Sequence, residues 1–211
     1  MKRILFYSSV NSLELFKTQK FYQIDISILK DLGYDVLLSN RIFDSLLFWK
    51  YDILFSYFYR YSFFAALLAK CFGKKTYFTG GIDSLDSDYA SAFNYKIQAL
   101  FFKLCYWVAD SCIIVSQSDL KNIFKVSSLK KKLSYSEHVI NTKLFIADVP
   151  KEKIFTSIVW MGDEGNVVRK GVDKALQIFA ELKKIPEFVD YRFVIIGRKG
   201  EGEVLRSEER R

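Results

Sequence analysis

The chain has 211 residues, half of them apolar, 17% aromatic and 27% charged, with a formal net charge of +8. That much apolar material excludes global disorder, and with no uncharged apolar run near the ~20 residues of a spanning helix it excludes a helical membrane span. Cys71, Cys105 and Cys112 are odd in number, lack metal-ligand spacing and sit in apolar segments, so they read as buried free thiols in a reducing cytoplasm.

Lys2 to Tyr7 predicts a first strand rather than a secretory leader, since Glu14 and Lys17 follow soon after. It opens into the loop that starts at Ser8 and Ser9, and in a doubly wound sheet that loop faces the ligand crevice. Gln19 to Leu32 is an amphipathic helix, with Tyr22, Ile26 and Leu29 and also Phe21, Ile24, Ile28 and Leu32 on its buried side. Gly33 is its natural stop. A second strand at Asp35 to Ser39 completes a βαβ start.

Ile42 to Trp49 is expected to be a short helix, Tyr51 to Tyr57 a strand, Ser62 to Phe72 a buried helix stopped by Gly73, and Lys75 to Thr79 a strand. The polar stretch Gly80 to Asp88 follows. Phe93 to Val108 is helical, and Phe93, Ile97, Leu100, Phe101, Leu104 and Val108 are expected to face the core. Its other face mixes Lys96, Lys103, Phe102 and Tyr106 and is open to a membrane-surface role. Ala109 to Ser116 is a strand with its lead-in, Gln117 to Lys125 a helix, and Leu133 to Val139 a sixth strand. Residues 146–154 read as a linker, which divides the chain into domains at 1–148 and 149–211.

The second domain starts with a strand read at Ile158 to Met161, apolar enough for burial on both faces. A charged loop, Asp163 to Gly171, leads to a helix with Val172, Ala175, Leu176, Phe179 and Leu182 on one face, and Arg192 to Gly197 is the next strand. Asp173 in the first turn and Lys183 and Lys184 in the last follow the order that a helix dipole favours. Backbone N–H groups at Gly171, with Arg169 and Lys170, make a candidate anion site, for which phosphate is the usual ligand. An ordinary βα turn with both cations in solvent remains the alternative.

These residues carry a resemblance. Trp160-Met-Gly-Asp, six residues, then Lys170-Gly-Val-Asp-x-Ala-Leu-x-x-Phe-Ala, followed by Arg192 to Gly197, resembles the start of the C-terminal domain of family 4 glycosyltransferases. Leu32-Gly-Tyr-Asp-Val36, Ala109-Asp-Ser-Cys-Ile-Ile-Val-Ser-x-x-Asp119 and Asn141-Thr-Lys-Leu-Phe145 resemble N-terminal parts of the same family. The resemblance implies the GT-B fold, an α/β architecture of two Rossmann-like domains. It implies transfer of a sugar, with retained configuration, from a nucleotide-diphosphate sugar to a glycan or lipid-linked acceptor in surface polysaccharide synthesis. Lys170 and Gly171 match the diphosphate site; the family's Arg position is Asp163 here, and Arg169 is the candidate substitute. Gly80, Gly81 and Asp83 match a loop near the transferred sugar, with Asp83 the catalytic candidate, and Ser8 and Ser9 stand where many members have glycines. The family's Glu-x7-Glu element is expected beyond residue 211, so the chain reads as a truncated member. A catalytically inactive acceptor- or membrane-binding module, or a subunit completed by another chain, is the competing reading.

No cofactor is expected. Asp86-Ser-Asp88 has the form of a metal motif, but two polar loop carboxylates are far commoner and no metal is assigned. The single histidine, His138, reads as structural or as lining the cleft. The net charge calls for an anionic partner. With no nucleic-acid signature beside the Lys121, Lys125 and Lys130 to Lys132 cluster, that partner is read as nucleotide-sugar or, peripherally, an anionic membrane at its cytoplasmic face.

Overall fold

The computed structural model describes residues 1–87, 90–127, 130–139, 150–159, 167–168 and 170–197, with the backbone alone at Asp83. The chain divides into two compact units, Met1–Thr142 and Lys143–Arg211.

Unit one is an α/β layer structure. Its strands are β1 (Arg3–Ser8), β2 (Asp35–Ser39), β3 (Ile53–Tyr57), β4 (Lys75–Thr79), β5 (Ser111–Ile114) and β6 (Leu133–Tyr135), all parallel, in the order β2-β1-β3-β4-β5-β6. The helices are α1 (Leu15–Thr18), α2 (Lys20–Asp31), α3 (Ser62–Cys71), α4 (Ala92–Val108) and α5 (Gln117–Val126). Strand alternation sorts the core into two layers. On one face Ile4, Phe6, Phe55 and Tyr57 pack under Phe16 of α1 and Tyr22 and Ile26 of α2. On the other, Leu5, Leu54, Phe78, Cys112 and Ile114 pack under α3, α4 and α5. Ala65, Ala66 and Ala69 carry α3 against the sheet, where small side chains let the helix come close.

Several expectations shift. Ile42 to Trp49 forms two 3-10 turns, Ile42–Leu46 and Phe48–Lys50, rather than one helix. Ile28 and Leu32 of the first amphipathic segment are exposed, because the sheet takes the Tyr22 and Ile26 edge of α2, with Phe21 and Leu29 packed beside it. In α4 the expected core face is borne out at Val108, which is buried, and at Phe101 and Leu104, which pack against the core, but not at Phe93 and Leu100. Phe102, Cys105 and Tyr106 are buried, while Phe93, Leu100 and Trp107 are exposed. The helix is apolar nearly all round, so the buried stripe is chosen by what lies opposite, here Tyr59 and the α3 ring Phe63, and not by hydrophobicity alone. Cys71 ends α3 and is exposed; Cys105 and Cys112 are buried, and burial pushes the Cys112 thiol up to about 12.

In unit two, β7 (Ile154–Ile158) pairs in parallel with β8 (Arg192–Ile196), and α6 (Val172–Leu182) packs on one side. The strand therefore lies upstream of its expected position, and part of the expected linker belongs to it. The strand is not buried on both faces, since Ile158 is 82% exposed. Trp160 to Gly162 lie outside the described residues. Val159, Val167 and Val172 form the small core, with Leu176 and Ile195 against it. Phe179 stacks on Phe193 at 5.5 Å and meets Phe155 edge-on at 5.9 Å. The Lys183 ammonium donates to the carbonyls of Val189 and Tyr191.

Candidate functional site

The order β2-β1-β3 makes a topological switch between β1 and β3, and ligand crevices in parallel sheets form at the carboxyl ends of strands near such a point. Ser8 is the last residue of β1 and is buried, not in the open loop; its hydroxyl shares a 2.7 Å hydrogen bond with Tyr22. The open part of this turn begins at Ser9, which is exposed. Gly80 follows β4, so β3 lies between the two, roughly 10 Å of sheet apart from strand to strand.

The β3 exit is strained. Phe58 has φ 67°, a left-handed backbone that bulky residues rarely adopt. It is held there by its own N–H, which donates to the Thr79 carbonyl at 2.8 Å. Ser62 Oγ donates to the Tyr57 carbonyl at 2.6 Å, and Gln98 Nε2 to the Tyr59 carbonyl at 2.7 Å. The buried Tyr59 hydroxyl donates to the Ile113 carbonyl at 2.9 Å. Gly80 has φ 107° and leans on the same turn: a Cβ there would lie 3.1 Å from a Phe58 ring carbon and 3.3 Å from its nitrogen. Both loops are thus fixed to each other.

Gly81 is half-buried beside this contact, and Ile82 is tied down by a 3.2 Å hydrogen bond from its N–H to Asp119 Oδ2. Asp119 sits in the first turn of α5, where its own N–H donates to Ser116 Oγ at 3.0 Å. Asp83 opens a 3-10 turn, Asp83–Leu85, and its side chain lies outside the described residues. Asp88 also lies outside them, and among the described residues no group of three or more His, Cys, Asp or Glu side chains is placed to hold a metal ion.

A cleft of about 300 Å³ opens on the α2 side of the sheet, with Thr79 in its lining, and sequence reasoning did not find it. Leu29, Phe55 and Ile113 give it an apolar floor, and Asp25, Glu137 and His138 line it. The Tyr57 hydroxyl donates to Asp25 Oδ2. Burial pushes the Asp25 carboxyl above the usual range, and the Tyr57 hydrogen bond and His138 only partly offset it. Burial first, then the neighbouring Asp25, push the Tyr57 phenol far up. His138 is exposed and lines the cleft, 6.2 Å from the Phe21 ring. The signal for Asp25 was available: a carboxylate between Ile24 and Ile26, beside the apolar stripe of a helix, needs a partner. An apolar floor with hydrogen-bonding carboxyl and imidazole groups in its lining suits a polyhydroxylated ring.

In unit two, Gly171 is left-handed at φ 66° and is the N-cap residue of α6, with no side chain capping the helix. First-turn N–H groups have no intrahelical acceptor, so they remain available to an anion. Lys170 is exposed directly before them. Arg169 lies outside the described residues. Asp173 Oδ1 is buried in the same turn and has no hydrogen-bond partner among the described residues.

No protein-family model matches the chain, and no curated protein is similar to it in sequence. Solved structures do share its fold, which is α/β of the GT-B Rossmann-like type. The Anabaena protein Alr3699/HepE in complex with UDP aligns at a TM-score of 0.51 and 9% identity, over 97% of this chain and 71% of that one. The same protein in complex with UDP and glucose aligns at 0.53 and 11%, over 99% of this chain and 64% of that one. The chain thus spans about two thirds of the length of these structures.

Proposed function

We propose that this chain works in a glycosyltransferase that moves a sugar, with retained configuration, from a nucleotide-diphosphate sugar to a glycan or lipid-linked acceptor. The observation that carries this reading is the left-handed Gly171, which opens α6 beside Lys170 without a side-chain cap, in a fold shared with a protein solved with UDP and glucose. The first-turn N–H groups and Lys170, with Arg169, would hold the diphosphate. Charge developing on the leaving diphosphate would be met by donors already in place, which is where electrostatic catalysis is most effective. Gly80 and Gly81 let backbone approach the sugar closely, with Asp83 as the catalytic carboxylate and Ser9 on the same edge. The Asp25 and His138 cleft would take a hydroxylated acceptor ring. A lipid-linked acceptor in surface polysaccharide synthesis would place the reaction at an anionic membrane surface.

Calorimetric titration of the chain with UDP tests the reading. Binding that falls about tenfold or more in Lys170→Ala, the scale of one lost charge-assisted contact, is the expected result. No UDP binding by the unsubstituted chain, or equal affinity in Lys170→Ala, sinks the assignment of that helix start.

A further inference from the structure

Phe93, Lys96, Leu100, Lys103 and Trp107 of α4 follow one another at spacings of three and four. At about 100° per residue they fall within roughly 80° of arc, a single outward stripe. Phe93 is 72%, Leu100 56% and Trp107 69% exposed. Such a run of large apolar side chains on a helix surface calls for a partner. The opposite side of the same helix is already occupied by the sheet, through Phe102, Cys105 and Tyr106.

Two observations identify the partner. First, α4 holds lysines but no Asp or Glu in its 17 residues, and Lys96 and Lys103 border the apolar residues along one side of the stripe. A second copy of this face would set those lysines against each other, whereas an anionic surface would meet all of them favourably. Second, the strongest cationic cluster in the chain joins the stripe at its C-terminal end. Lys132 Nζ donates to the carbonyls of Tyr106 and Trp107, at 3.1 and 3.0 Å. Lys130 Nζ lies 4.8 Å from the ring centre of Phe124, which is itself partly exposed. Aromatic rings beside lysines, with a tryptophan at the margin, match the boundary between lipid headgroups and acyl chains.

We propose that the outer stripe of α4, extended by Lys130 to Lys132, is a docking surface for an anionic lipid bilayer. The helix lies in the plane of the interface. Phe93, Leu100 and Trp107 enter the headgroup boundary, and the lysine stems lie along it with their ammonium groups among the lipid phosphates. This deepens the lipid-linked reading of the acceptor while standing on the geometry of α4.

Cosedimentation of the full chain with vesicles tests it, using phosphatidylcholine alone or equimolar phosphatidylcholine and phosphatidylglycerol. The chain is expected to pellet with the anionic vesicles, less with neutral ones, and less as salt rises. Lys96→Glu with Lys103→Glu should lower partitioning to anionic vesicles at least ~25-fold, at about fivefold for each lysine lost. Phe93→Ser with Leu100→Ser should lower it on both vesicle types. All four side chains are exposed, so unchanged thermal melts are expected for both double variants. Failure to pellet with anionic vesicles overturns the proposal, as does partitioning that neither double variant changes. Sedimentation as a dimer without vesicles, lost in Phe93→Ser with Leu100→Ser, would instead make the face a contact between copies. No nucleotide is present in this assay and no vesicle in the UDP titration, so either reading can fail alone.

Discussion

Asp119 Oδ2 receives the N–H of Ile82 across 3.2 Å, linking the start of α5 to the loop that follows β4. Asp119→Ala leaves a buried N–H without that acceptor, which costs about 1–3 kcal/mol. We expect a lower denaturation midpoint and faster proteolysis between Gly80 and Leu85. Asp119→Asn keeps an acceptor and should recover most of the loss; equal damage in both variants would count against the hydrogen bond.

Gly80→Ala meets two obstacles. Its φ of 107° is unfavourable for any side chain, and the new Cβ would crowd Phe58 and Tyr57 at 3.1 to 3.3 Å. Because Phe58 is itself held left-handed, that turn has little room to yield. A loss of about 2 kcal/mol or more is expected in urea unfolding. A neutral result would mean that the two loops are not fixed to each other.

Asp25 gives a pH signature with a definite sign. Its folded carboxyl ionises above the ordinary value because burial disfavours the charge. As pH rises from the ordinary value of about 3.9, the unfolded state gives up its proton first, so the cost of this group to stability grows until its folded pKa is passed and persists in full above it. Asp25→Asn keeps an acceptor for the Tyr57 hydroxyl and removes that cost. Its Tm should exceed that of the unsubstituted chain at about pH 8, with the gap closing toward about pH 4. A gap that widens on acidification would show that the carboxylate is stabilised, not penalised, by its site.

Asp173 sets a like charge beside the proposed diphosphate position. Its buried Oδ1 has no hydrogen-bond partner among the described residues, and a negative charge in the first turn of α6 competes with any anion there. Asp173→Asn should tighten UDP binding several-fold, the size of a 0.3–1 kcal/mol helix-end interaction. Unchanged or weaker binding would place the diphosphate elsewhere.

Strands were legible where a short apolar run is closed by a glycine, as Lys75–Thr79 is by Gly80, and β7, which runs on into Val159, was displaced from its expected place. Helix stops were legible where Gly33 and Gly73 adopt the left-handed conformation. The buried face of α4 was not, since its rings surround the helix and only the position of Tyr59 decides between Phe102 and Leu100. The Asp25 cleft was also hidden. It joins α2 to the segment after β6, more than a hundred residues along, and no local pattern records that meeting. The Ser116 and Asp119 spacing was visible as part of a resemblance, while its local role, capping α5 and tying down Ile82, needed the fold.

The strand order has a consequence for how the molecule is made. Listed by time of synthesis, every new strand of unit one joins an outer edge: β2 beside β1, β3 on the other side of β1, then β4, β5 and β6 each beside its predecessor. No strand has to be inserted between two that are already paired. The sheet can therefore grow on the ribosome in the order of translation, with α3 and α4 closing over it as they emerge. The hazard at each stage is the growing parallel edge, open until the next strand arrives, while no later strand of this order joins the outer side of β2.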